Sequence, residues 1–143
     1  MGKKYVLVID QGTTGTTILL VDKQGKVAHK YYQEFIQSYP KPGWVEHDPE
    51  LILDTVVKGL HEMLALAWLD PEEIAALGIT NQRETIVVWN RSTGKPVYPA
   101  IVWQCRRTAT RCKQLKEDKF DRMIREKTGL EVDPYFSATK LEW

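Results

Sequence analysis

No apolar run in this chain is long enough to cross a bilayer, and Lys3-Lys4 is followed by only five apolar residues before Asp10. A spanning helix needs about 20 such residues and a signal peptide about 7–15, so nothing near the N-terminus reads as either. Charge of one sign is equally scarce. Twenty Lys and Arg against 19 Asp and Glu give a formal net charge of +1, which makes no electrostatic case for nucleic acid or an acidic membrane surface. There are only two cysteines, Cys105 and Cys112. Both fall on one predicted helix over 105–118, seven residues apart and on one face, too distant for a disulfide, and read as reduced packed thiols. His29, His47 and His61 share no metal-ligand spacing and read as structural or exposed. Repeats and low-complexity tracts are missing too. What is present, 43% hydrophobic and 27% charged residues, suits a soluble globular piece of one domain or slightly less, expected in the cytoplasm.

The pattern along the chain predicts a meander, then a helix, then a strand. Strands are expected at roughly 4–9, 16–22 and 26–35, with Asp22-Lys23-Gln24-Gly25 as a tight turn. Pro40, Pro42 and Gly43 interrupt the pattern as a loop. Asp48 as N-cap and Pro49 at the first helical position start a long helix, whose stripe is Ile52, Val56, Leu60, Met63 and Ala67. Asp70-Pro71-Glu72-Glu73 starts a short second helix, and Ala76 to Thr80 returns to a strand. Thr85 to Trp89, a turn at Ser92-Thr93-Gly94-Lys95 and the strand Ala100 to Trp103 make a further hairpin. Helices follow at about 105–118 and 120–128, the latter stopped by Gly129, and Ser137 is placed to cap another. Leu141 and Trp143, within two turns of that cap, read as a domain cut short. This order is that of an α/β, ribonuclease-H-like mixed sheet with an antiparallel three-strand meander and crossover helices.

Between the first two strands lies Asp10-Gln11-Gly12-Thr13-Thr14-Gly15-Thr16, rich in glycine and hydroxyls with a carboxylate at its head. Glycines let backbone N–H groups approach an anion, threonines add neutral donors, and a strand-end aspartate can hold the waters of a Mg²⁺. No Gly-Lys-Ser/Thr follows at Walker A distance, and the β-branched run after the glycines is not the helix of a dinucleotide turn. On local chemistry alone an ordinary polar hairpin turn fits equally well. Asp10 at the end of a first strand would also suit a ribonuclease-H-like nuclease, but that requires further carboxylates at the centre of the sheet.

The block Asp10-Gln11-Gly12-Thr13-Thr14 resembles the first phosphate motif of the actin-like ATPase superfamily, and more narrowly of the sugar kinases that include the glycerol kinases. Four later blocks resemble glycerol kinases in order: Tyr39 to Pro49, Gly78 to Thr85, Ala100 to Thr108 and Asp133 to Ser137. The resemblance runs over the whole chain but covers the first part of a much longer enzyme. It implies ATP and Mg²⁺ as cofactors, with Asp10, Thr13, Thr14 and Gly15 at the nucleotide phosphates and Asp10 holding Mg²⁺ through water. It further implies that Arg83, Glu84 and Tyr135 bind glycerol hydroxyls, that Trp103 packs against the polyol carbons, and that Thr13 also lies at the substrate. The general base, in a later Gly-Asp-Gln block, and the adenosine site, in a second domain, would then lie beyond residue 143, and the complete protein would be a homo-oligomer.

Arg83 and Glu84 are also informative by themselves. An adjacent cation and anion beyond a strand's carboxyl end can grip a polyol, the guanidinium donating to one hydroxyl and the carboxylate accepting from another. As isolated residues they fit a solvated pair on a turn. Kinases of five- and six-carbon sugars typically carry Gln-Met-His where this chain has Gln82-Arg83-Glu84. One departure from the resemblance stands out: family members commonly continue the first motif with Ser-Ser-Arg, whereas this chain has Gly15-Thr16-Thr17. The arginine contact to the phosphates then passes to a backbone-lined turn or to a lysine such as Lys3 or Lys4. The basic cluster Arg106, Arg107, Arg111 and Lys113 shares its helix with Glu117 and Asp118 and reads as a solvated face. Trp44, Trp68 and Trp89 read as core or loop anchors. Two other readings stay open: a non-catalytic actin-like nucleotide-binding module, and a kinase of another small polyol or sugar.

Overall fold

A computed structural model describes residues 2–143. In chain order the elements are strands Tyr5–Gln11 (β1), Gly15–Asp22 (β2), Val27–Glu34 (β3) and Glu46–His47 (β4), helix Pro49–Leu66 (α1), strands Ile74–Asn81 (β5) and Ala100–Ile101 (β6), and helices Ala109–Glu117 (α2), Asp121–Thr128 (α3) and Ser137–Glu142 (α4). They fall into two units, Met1–Ile36 with Pro49–Gln82, and Gln37–Asp48 with Arg83–Trp143.

The first unit carries a four-stranded sheet in the order β3-β2-β1-β5. Its period-two alternation buries Leu7, Ile9 and Gln11 of β1 and Thr16, Ile18 and Leu20 of β2, and α1 packs on that face. The meander β1-β2-β3 is antiparallel, and β5 returns parallel to β1 after the crossover through α1. This is the expected ribonuclease-H-like arrangement. The Asp22 turn forms as its composition requires: Asp22 Oδ1 accepts from the N–H groups of Gln24 and Lys26 at 2.9 Å each, and Gly25 takes φ of 78°.

Two expectations for this unit need correction. The helix stripe is real, but its most buried positions are Thr55, Gly59 and Met63, because α1 approaches the sheet too closely for large side chains at its centre. A Cβ on Gly59 would stand 2.8 Å from Ile18 Cγ1 and 3.1 Å from the Tyr31 ring. Gly59→Val should therefore destabilise this unit by about 1–3 kcal/mol despite the better helix propensity of any residue other than glycine or proline. A denaturant midpoint equal to wild type would contradict the close approach. The second correction is that Pro71–Glu73 forms a single 3₁₀ turn. Asp70 Oδ1 caps Glu72 N at 3.0 Å, but Ile74 is already extended and begins β5, so no helix can grow.

The second unit is organised by short bridges. β4 pairs antiparallel with β6, Ser38 bridges to Glu46, and Ile86 bridges to Ile101. Val45, Ile101, Val102 and Cys105 form its core, with Trp44 and Trp103 against it. The strands expected at Thr85 to Trp89 and Ala100 to Trp103 are thus much shorter. Pro96 and Pro99 have no N–H to donate, so the hairpin keeps only isolated pairs such as Val97 N to Val88 O, 3.0 Å. After Ile101 the chain turns, with Cys105 N donating to Val102 O at 2.9 Å and Arg106 N to Gly43 O at 2.7 Å. The helix expected over 105–118 therefore begins only at Ala109, and Cys105 and Cys112 share no helix face. Both are buried free thiols. α3 ends as expected at Gly129, left-handed with φ of 74°.

The basic cluster is not one solvated face. The Arg107 side chain is 0% exposed, pairs with Glu46 at 2.6 Å, and lies 3.9 Å over the Trp44 ring. His47 is buried beside Glu46 in β4, and burial pushes its imidazole below the usual histidine range. Trp44 is the anchor expected of it; Trp68, 95% exposed with φ of 48°, anchors nothing.

Candidate functional site

In the first unit, β1 extends to Gln11, so Asp10 is the penultimate strand residue and the turn is Gly12 to Thr14. The ladder places Thr17 of β2 and Thr80 of β5 directly beside Asp10. Paired neighbours share a sheet face, so one exposed carboxylate stands between two hydroxyls, on the face away from α1. Below it the turn is stitched together. Gly12 N donates to Gly15 O at 2.9 Å, Gln11 Nε2 to Gly12 O at 2.8 Å, and Gln82 Nε2 to Gln11 Oε1 at 3.1 Å. Thr14 is exposed and Thr13 half-buried.

Gly15 has a structural reason to be glycine. It is buried in the β2–β3 ladder, and a Cβ there would stand 2.6 Å from Gln33 O and 2.8 Å from the Tyr32 ring. The suggestion that Lys3 or Lys4 replaces the missing arginine is contradicted. Lys3 Nζ bonds Ile74 O at 2.8 Å and Lys4 Nζ bonds Glu73 Oε1 at 2.5 Å, at the opposite end of β1. Seven strand residues separate them from the turn, about 20 Å.

In the second unit three of the expected substrate residues come together. The Trp103 and Tyr135 rings meet edge to face with centroids 5.8 Å apart, and Phe136 backs Tyr135 at 5.0 Å. Ser137 Oγ donates to Glu84 Oε2 at 2.8 Å, which ties the Glu84 segment to the Tyr135 segment. Trp103 N donates to Thr85 Oγ1 at 3.3 Å. The Asp133-Pro134-Tyr135 block is closed by Tyr135 N donating to Asp133 Oδ1 at 2.8 Å, and Arg106 pairs with that carboxylate at 3.1 Å. Glu84 itself adopts φ of 63°, left-handed for a residue with a Cβ. Such backbone persists only where surroundings hold it, and it gathers at ligand sites. Arg83 is exposed and takes part in no ion pair among the described residues.

Two contributors were not visible in the sequence. Ser137, read as a helix cap, is the first residue of α4, with Phe136 in the cap position and no side-chain cap bond. Lys140 is buried, with Nζ bonded to Tyr135 O at 3.1 Å. Burial lowers its ammonium below the ordinary lysine range, opposed by Cys105 and Glu84 nearby. The spacing of Tyr135 and Lys140, about one helical turn and a half, carries no signal until α4 is known to start at residue 137.

A meander followed by a crossover helix and a parallel strand is the ribonuclease-H-like arrangement that sugar kinases of the actin-like ATPase fold share. The chain belongs to the FGGY family of carbohydrate kinases: the family's N-terminal domain matches residues 5–143. It is 57% identical over 143 residues to a glycerol kinase from Carboxydothermus hydrogenoformans, covering 100% of this chain and 29% of that protein. The crystal structure of Plasmodium falciparum glycerol kinase with ADP superposes with a TM-score of 0.90 at 34% identity, over 100% of this chain and 29% of that one. A gluconate kinase from Lactobacillus acidophilus matches with a TM-score of 0.88 at 26% identity, over 98% and 28%. The chain therefore spans less than a third of the length of the relatives it matches, and its fold is shared by kinases of different substrates. Among the described residues no helix is long and apolar enough to cross a membrane, and no group of three or more His, Cys, Asp or Glu is placed to hold a metal ion directly.

Proposed function

We propose that this chain is the N-terminal part of the first, substrate- and phosphate-binding domain of an ATP-dependent glycerol kinase. In this reading Asp10, Thr13, Thr14 and Gly15 form the first phosphate turn. Arg83, Glu84, Trp103 and Tyr135 form the part of the glycerol site that the second unit supplies. The observation that carries it is the bond from Ser137 to Glu84, which ties a carboxylate acceptor to the segment whose Tyr135 ring meets that of Trp103. Arg83 adjoins Glu84 in sequence. A three-carbon polyol asks for those features: donors and acceptors for its hydroxyls and an apolar face for its carbons.

Phosphoryl transfer leaves a protein little covalent work, so the contribution of these residues is positioning and charge stabilisation. Arg83 and Glu84 would fix two hydroxyls, leaving a primary hydroxyl free to attack in line. The turn's backbone would hold the nucleotide phosphates. Asp10 with Thr17 and Thr80 beside it offers one carboxylate and neutral oxygens, a donor set that fits a Mg²⁺ retaining its waters and not a direct cage. Such an ion supplies neutralisation of phosphate charge. The same reading places the general base and adenosine pocket outside residues 1–143, and the complete protein in the cytoplasm as a homo-oligomer. Its test is the complete protein assayed for ATP-dependent phosphorylation of glycerol, xylulose and gluconate. Glycerol should be preferred by kcat/KM, and preference for either of the others overturns the assignment.

A further inference from the structure

We propose that Ser137 is a positioning residue for the polyol site, holding the Glu84 carboxylate in the one orientation that presents Oε1 to a substrate hydroxyl; the inference rests on the glycerol-site reading above. Three observations carry it. Ser137 Oγ donates to Glu84 Oε2 at 2.8 Å across a sequence separation of 53 residues, while among the described residues Oε1 has no hydrogen-bond partner. Phe136, not Ser137, holds the cap position of α4, and among the described residues the Ser137 hydroxyl bonds Glu84 and no group of its own helix. Glu84 sits on left-handed backbone with φ of 63°, a conformation that surrounding contacts must hold in place.

A glutamate side chain has three rotatable torsions, and fixing them costs conformational entropy if it occurs only on binding. A serine that already holds one oxygen removes part of that cost before substrate arrives. It also engages lone pairs on Oε2, so the remaining acceptor capacity is directed from Oε1. A carboxylate fixed in this way accepts and does not donate, which selects a hydroxyl donor at that point of the substrate.

The test compares Ser137→Ala, Ser137→Thr, Glu84→Gln and the double variant Ser137→Ala/Glu84→Gln in the complete protein. Ser137→Ala should raise KM for glycerol about five- to twentyfold, with kcat within about twofold and KM for ATP unchanged. Ser137→Thr, which keeps the hydroxyl, should restore KM to within about twofold of wild type. In the double variant the two effects should fail to add, because serine acts only through the carboxylate. If Glu84→Gln raises KM but Ser137→Ala does not, or if their effects simply add, the positioning role is wrong and the glycerol site stands. If Glu84→Gln leaves KM unchanged, the site reading fails and the inference fails with it. Should Ser137→Ala unfold α4, Ser137→Cys replaces it as a near-isostere with a weak donor: a raised KM supports the role, and a wild-type KM overturns it.

Discussion

Asp10→Asn in the complete protein should retain its fold and its affinity for glycerol while kcat falls about a hundredfold. The substitution keeps the shape of the side chain and removes its charge. Asp10 is exposed and makes no ion pair among the described residues, so little stability is at stake, and the β1 ladder on both sides is made by backbone. On the proposed reading, what is lost is the charged acceptor for a hydrated cation at the phosphates. Charge stabilisation of several kcal/mol is typical of such ions, and each ~1.4 kcal/mol is tenfold in rate. Circular dichroism and glycerol calorimetry should match wild type while a coupled assay shows the loss. A near-normal kcat would reduce Asp10 to an ordinary strand residue.

Arg83→Ala should act on the other substrate. Loss of a charge-assisted hydrogen bond of about 1.5–3 kcal/mol corresponds to roughly a ten- to hundredfold rise in KM for glycerol, with little change for ATP. Glu84→Gln should move KM in the same direction, because an amide accepts more weakly and its NH₂ competes for the acceptor position. Glu84 carries a second consequence that Arg83 lacks. Its φ of 63° is tolerated best by glycine and asparagine, so Glu84→Asn should relieve backbone strain and still lose the substrate contact. A solvated surface pair would instead change binding by under about 1 kcal/mol in either variant. Glycerol titration at saturating ATP separates the two outcomes, and unchanged KM in both variants would move the site elsewhere.

The sequence carried the first unit almost to its boundaries, since period-two strands, the Asp22 turn and the Pro49 helix start are local signals. The interior of α1 was misjudged because Thr55 and Gly59 are buried for a tertiary reason, the close pass over Ile18 and Tyr31. The second unit was harder. Its small sheet pairs Glu46 with Ile101 and His47 with Ala100, residues far apart in sequence, and no periodicity announces a strand of two residues. The same holds for the candidate site. Glu84, Trp103 and Tyr135, whose segments the structure links, and Arg83 were named through motif blocks, whereas Ser137 was assigned to a cap, since a serine before a helical run carries the same local signal whether it caps that helix or reaches elsewhere. Arg107, grouped with its neighbours as surface charge, became buried through a pairing with Glu46 61 residues away.

The hydroxyl of Thr16, 0% exposed, lies 2.8 Å from that of Thr55. Thr55 donates its own proton to Ile52 O at 2.8 Å, so Thr16 must be the donor in the pair. The strand leaving the Gly12 to Thr14 turn is thereby fastened to the middle of α1 by a directed chain of two hydrogen bonds, just where Gly59 lets helix and sheet approach. A segment fastened in this way has little configurational freedom left to surrender. Phosphate capture at the turn should accordingly be driven by enthalpy with only a small entropic penalty, and the amides around Thr16 should rank among the slowest to exchange with deuterium even before nucleotide is added.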